Sequence, residues 1–249
     1  MKLLAISPHL DDAAFSAGGL LASRVDQGWE VTVVTCFTGN VARPTGFALA
    51  CQLDKGLGAD IDYMALRRAE DHAACEALDA RAIHLPFLEA PHRGYISAKM
   101  LFAARLPDDR VVDDVAAALA ELLAAERPDL VLGPLCLGNH VDHHVVLEAI
   151  RRSSADHTVL LWEDWPYADR EDRVAAMPAV IEHLTPETRA RRIAACAAYT
   201  SQLGFQFGGV EAMTERTERI AEERFYPSKR SDRPATAAAR PQFQAEPSS

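Results

Sequence analysis

The first 37 residues restrict the fold more than any other part of the chain. Residues 2–6 (KLLAI) form a short apolar run suited to a buried strand. Residues 15–27 carry Leu20, Leu21 and Val25 at helical spacing, and residues 30–37 (EVTVVTCF) are rich in β-branched side chains. Strand, helix, strand in that order is a βαβ unit, whose strands are parallel and whose crossover is right-handed. The alternation continues. Residues 62–78 have the pattern of an amphipathic helix and 82–85 that of a strand. Helices are predicted over 109–125 and 142–152, with strands over 128–132 (PDLVL) and 158–162. A further helix is predicted over 185–202, opened by Thr185-Pro186. This order predicts an α/β fold, with a mainly parallel sheet flanked by helices.

The 249 residues suit one domain over 1–227. From residue 228 the chain turns to Pro, Ala, Ser and charge, which predicts a disordered tail over 228–249. Residues 38–61, with Gly39, Pro44, Gly46, Gly56 and Gly58, are predicted to be a long loop of the kind that often serves function. A net charge of −10 disfavours a nucleic-acid backbone or an anionic membrane as partner. No run approaches the roughly 20 apolar residues of a membrane span. MKLLAISPHLDD lacks the apolar core and cleavage site of a signal peptide and reads as a first strand. Cys36, Cys51, Cys75, Cys136 and Cys196 are widely spaced and include no C-x-x-C pair, so reduced thiols in a cytoplasmic protein are expected.

Two clusters carry the chemistry. Ser7-Pro8-His9-Leu10-Asp11-Asp12 follows the first strand and opens the first helix, where α/β sheets bind ligands. Asn139-His140-Val141-Asp142-His143-His144 follows the fourth strand and opens another helix, so both should emerge on one sheet edge. Each has a plainer reading. Asp12 could cap its helix, His9 could be a turn residue, and Asp142 could complement a helix dipole. Three histidines and an aspartate within residues 140–144 exceed what capping needs. Together the clusters suit a catalytic zinc, which takes three protein ligands and keeps one position open for water. One histidine and one carboxylate would come from the first loop and one histidine from the second. A spare carboxylate can then act on the water and a spare histidine on the developing oxyanion.

With these motifs the sequence resembles the PIG-L/LmbE-like zinc-dependent N-deacetylases, whose motifs run approximately H-P-D-D-x and H-x-D-H. They stand here as His9-Leu10-Asp11-Asp12 and His140-Val141-Asp142-His143. The resemblance implies a Rossmann-like fold and one Zn2+ per chain, or another divalent metal, held by His9, Asp12 and His143. It further implies Asp11 as general base and later acid, His140 as the group polarising the tetrahedral intermediate, and Asp142 as the residue orienting or charging His140. Arg67-Arg68-Ala69-Glu70 resembles the family's R-x-x-E segment, which makes Arg67 a sugar contact; a solvated helix face is the plainer reading. Glu89 falls where members carry an acid that binds sugar hydroxyls. Tyr199-Thr200-Ser201-Gln202 resembles a late Y-x-S-Q segment and is read as a helix end.

The likeness covers about residues 1–226, but only the two histidine–aspartate motifs are specific. Leu10 replaces the usual proline and Ala13 replaces a frequent acid. His144 is extra, though adjacent helix residues diverge by about 100°. His72, His84, His92, His157 and His183 are assigned no role.

The implied reaction is hydrolysis of an N-acyl group, chiefly acetyl, on a small amino sugar or its conjugate. A metal-dependent esterase or amidase for a non-sugar substrate is one rival. A non-catalytic sugar- or nucleotide-binding module is another, although the first turn lacks G-x-G-x-x-G. Residues 38–61, 89–105 and 163–177 are expected to wall the cleft. Trp162, Trp165 and Tyr167 are candidates to stack on a sugar.

Overall fold

The computed structural model describes residues 1–170 and 178–228. The predicted tail, apart from Ser228, and the last part of the 163–177 wall lie outside the described residues. In chain order the elements are β1 (Lys2–Ser7), α1 (Asp12–Asp26), β2 (Glu30–Thr35), α2 (Gly46–Leu53), α3 (Tyr63–Ala77), β3 (Arg81–His84), α4 (Ala98–Leu101) and α5 (Val111–Glu126). Then come β4 (Leu130–Pro134), α6 (Val141–Ser153), β5 (Val159–Trp162), β6 (Val180–His183), α7 (Pro186–Ala197), α8 (Thr200–Phe207), α9 (Val210–Glu218) and β7 (Glu222–Pro227).

The seven strands form one sheet in the order β3-β2-β1-β4-β5-β7-β6. β1 to β5 are parallel, whereas β7 runs antiparallel to both β5 and β6. Helices cover both faces, so the inner strands are apolar on both sides and read as continuous runs. Leu3 and Ala5 face the layer of α1, α3 and α7. Leu4 and Ile6 face that of α5 and α6, where Val115, Leu119 and Val145 lie. Connections run from β1 towards β3 on one side and from β4 to β5 on the other. The order therefore reverses between β1 and β4, where such sheets open a ligand crevice beyond their strands' carboxyl ends. Both histidine–aspartate clusters leave the sheet there.

The structure departs from the sequence reading in three places. The predicted loop 38–61 contains α2. The predicted helix 185–202 is two helices. Thr185 caps α7 by accepting the Thr188 N–H, and the chain breaks at Ala198–Tyr199 before α8 begins. The antiparallel strands β6 and β7 were not foreseen: Glu222-Glu223-Arg224 is charged and lacks a strand's apolar signal.

β7 nonetheless locks α1 in place. Glu223 accepts the backbone N–H of Gly19 and of Leu20 at 2.8 Å each, and it pairs with buried Arg192 of α7 at 3.3 Å. Gly18 and Gly19 make this approach possible. A β-carbon on Gly18 would stand 2.9 Å from Arg192 Cγ, and one on Gly19 only 2.3 Å from Leu184 Cδ2.

Candidate metal centre

The first loop is wound tightly around Asp11 and Asp12. Asp11 takes φ 157° and ψ −36°, a strained conformation for a residue with a β-carbon. It is held there by its own N–H on His9 O (3.0 Å) and by Arg67, which donates to Leu10 O (2.8 Å). Asp12 opens α1 and turns its carboxylate back to accept the His9 backbone N–H at 2.8 Å. Its charge also suits the positive end of the helix. In the second loop, Gly138 and Asn139 adopt left-handed backbone, and His140 caps α6 by accepting the Asp142 N–H on Nδ1 at 3.2 Å. That bond assigns Nε2 as the protonated nitrogen of neutral His140.

The loops meet. Asp12 Oδ2 lies 3.2 Å from His9 Nδ1 and 3.4 Å from His143 Nε2. Ligands at about 2.0 Å on a tetrahedral zinc stand about 3.3 Å apart, and both distances from Asp12 to the histidines match that spacing. His143 Nε2 is buried and makes no hydrogen bond, a state that calls for a cation. His9, His140 and His143 also form a trio whose ligand atoms all lie within 4.8 Å of one another. The cluster is a candidate site for a divalent metal.

Each outer histidine nitrogen is backed by a buried carboxylate. His9 Nε2 contacts Asp142 Oδ2 at 3.0 Å, and His143 Nδ1 contacts Asp164 Oδ1 at 2.8 Å. Asp142 also accepts from Arg93 (2.7 Å) and from the Ala90 N–H (3.0 Å), and Arg93 in turn pairs with Asp109. Such partners fix ring orientation and strengthen a ligand's basicity. Asp142 touches both histidines: its carboxylate engages His9, and its backbone N–H donates to His140 Nδ1.

The electrostatics follow from burial and these contacts. Burial opposes charge on His9, but hydrogen bonds to Asp12 and Asp142 outweigh it and raise its pKa to about 9. His143 is likewise raised well above its ordinary value, against burial, by Asp12 and Asp164. This nest draws in positive charge, as protons or as a metal. His140 moves the other way: burial, with the neighbouring His9 charge, lowers it to about 3. Asp11 is raised to about 7, by burial first, with Arg67 opposing and Asp12 adding to the rise.

Arg67 and Glu89 reach the same place. Arg67 lies 3.4 Å from Asp11 Oδ2 and donates to Glu89 at 2.8 Å, but it is only 3% exposed. It stands behind the wall, with Glu89 in front. His144 is exposed and bonded to Asn139, away from the ligands. Trp162 and Trp165 are core residues; of the three aromatics only Tyr167 approaches, with its ring 5.9 Å from that of His143. Sequence reasoning missed Asp164, Arg93, Asp109 and Gln206. Asp164 could have been found, because it lies just past the carboxyl end of β5. Gln206, which donates to Asp11 Oδ2 at 2.9 Å from 195 residues away, left no local signal.

Fold and site converge on one family. Residues 4–154 match PIG-L, GlcNAc-PI de-N-acetylase, and the chain belongs to that family. It is 34% identical over 177 residues to 2'-N-acetylparomamine deacetylase of Streptomyces fradiae, covering 70% of this chain and 60% of the relative. It is 30% identical over 196 residues to a 1D-myo-inositol 2-acetamido-2-deoxy-alpha-D-glucopyranoside deacetylase of Corynebacterium glutamicum, covering 72% and 60%. The chain thus spans 60% of the length of these curated relatives. Among solved structures, the zinc-inhibited form of teicoplanin deacetylase Orf2 superposes with a TM-score of 0.81 at 29% identity, covering 93% of this chain and 99% of that one.

Proposed function

We propose that this protein is a zinc-dependent hydrolase that removes the N-acetyl group from a small amino sugar or amino-sugar conjugate. One observation carries the reading: Asp12 stands 3.2 and 3.4 Å from the facing nitrogens of His9 and His143, beside the buried carboxylate of Asp11. His9, Asp12 and His143 hold the ion. When bound, zinc supplies an acidified water and an electrophile for the acyl oxygen.

The chain's own residues do the rest. Asp11, raised by burial towards neutrality, takes the proton of the attacking water and returns it to the leaving nitrogen. Neutral His140 donates from Nε2 to the oxygen on which charge develops. Asp142 and Asp164 keep His9 and His143 turned to the ion. Glu89, backed by Arg67, offers a carboxylate to sugar hydroxyls. The sugar and the acetyl group are supported by the relatives' names. The metal chemistry itself reads only a carbonyl, and an esterase would need the same centre. Five free cysteines fit a reducing, cytoplasmic setting.

Paired N-acetyl and O-acetyl amino sugars, incubated with the zinc-loaded protein, test the reading. Equal amounts of acetate and free amine from the N-acetyl substrate are expected. Release from the O-acetyl substrate alone would make the protein an esterase.

A further inference from the structure

Two segments of the sequence have no part in the reaction described so far: Glu70, and the helix end at 199–202. The structure joins them. Glu70 accepts Thr200 Oγ1, the Ser201 N–H and Ser201 Oγ at 2.7 Å each, so its carboxylate grips the first turn of α8. Tyr199, just before that turn, donates to Asp71 at 2.7 Å. Two adjacent acids of α3 therefore fix where α8 starts and how it is rotated. Gln206 lies about one and a half turns further on. Its Nε2 donates to Asp11 Oδ2 at 2.9 Å. Arg67, one turn before Glu70 on α3, approaches the same oxygen at 3.4 Å.

We infer that Gln206 is a positioning residue for the general base. With Arg67 it occupies Oδ2 of Asp11, leaving Oδ1 as the oxygen that exchanges protons with water and the leaving nitrogen, while Glu70 holds α8 at the reach this requires. The inference rests on Asp11 being the base. The strained backbone of Asp11 explains the need. A short side chain at a tight turn would otherwise be set by the turn alone. A misplaced base costs rate steeply, about 100-fold for an error near 1 Å. Gln206 supplies a neutral donor of fixed length, so it orients the carboxylate without adding a charge to the site.

The test uses the zinc-loaded full chain and an N-acetylated amino sugar that the wild type hydrolyses. Gln206→Met keeps length and packing but removes the donor. Its kcat should fall about 10- to 100-fold, with KM, zinc content and melting temperature unchanged. Glu70→Gln, which keeps one acceptor oxygen, should give a smaller loss of the same kind. A Gln206→Met variant with wild-type kcat would overturn the inference. So would a loss matched by lower melting temperature or zinc content, because Gln206 would then be structural. Asp11→Asn is measured in parallel. If it retains turnover, the base assignment itself fails; if it is inactive while Gln206→Met is fully active, only the positioning role fails.

Discussion

At the scale of single residues, the site is a set of buried histidines and carboxylates that concentrates negative charge around His9 and His143. His143 has one nitrogen on Asp164 and the other without a hydrogen bond, and His9 stands between two carboxylates. Burial makes each of these arrangements costly unless a cation is shared among them. Two expectations belong here. Asp11→Asn should retain the metal but lose about 100- to 10,000-fold in kcat, measured as acetate release. Asp164→Ala should weaken metal affinity about 10- to 100-fold, read by competition with a chelator, because His143 loses the partner that orients it. The candidate ligands His9, Asp12 and His143 could be named from the sequence, since both motifs are compact. Their carboxylate partners were not: the sequence reading gave Asp142 to His140, whereas its carboxylate contacts His9. Asp164 and Arg93 reach the site from other segments, and only folding brings them in.

Among the elements, α1 matters most, because Asp11 and Asp12 sit at its head. Its position depends on Glu223 of β7, which accepts two of its backbone N–H groups and pairs with Arg192 of α7. Removing that carboxylate leaves a buried guanidinium uncompensated. Glu223→Ala should therefore destabilise the fold by about 3–5 kcal/mol, seen as a lower denaturant midpoint. β7 is also what the sequence concealed. Its charged residues look like a solvated segment, yet Glu223 is buried at the centre of a polar junction. β1, β4 and β5 were legible as apolar runs and β2 by its β-branched residues, whereas β3 (Arg81–His84) carries only a short apolar pair, Ala82-Ile83. The break between α7 and α8 was hidden because Tyr199, an apolar residue at helical spacing, is diverted to hydrogen-bond Asp71.

For the whole molecule, the consequence is a sheet that brings together two loops about 130 residues apart in the chain. His9 and Asp142 are separated by 133 residues and touch at 3.0 Å. The reversal of strand order between β1 and β4 makes that meeting a property of topology, so a metal bound there links two parts of the domain. Such an ion binds the folded chain and not the unfolded one. Free zinc at about 100 times its Kd should then stabilise the protein by about 2.7 kcal/mol. Stripping the metal should lower the melting temperature, and restoring zinc should recover it.

The most direct measurement of the central claim is zinc content together with acetate release, for the wild type and for His143→Ala. One zinc per wild-type chain is expected, with acetate and free amine formed from an N-acetylated amino sugar. His143→Ala should lose both zinc and turnover while remaining folded. Full hydrolysis by chelated, metal-free protein, or by a His143→Ala variant without zinc, would contradict that claim.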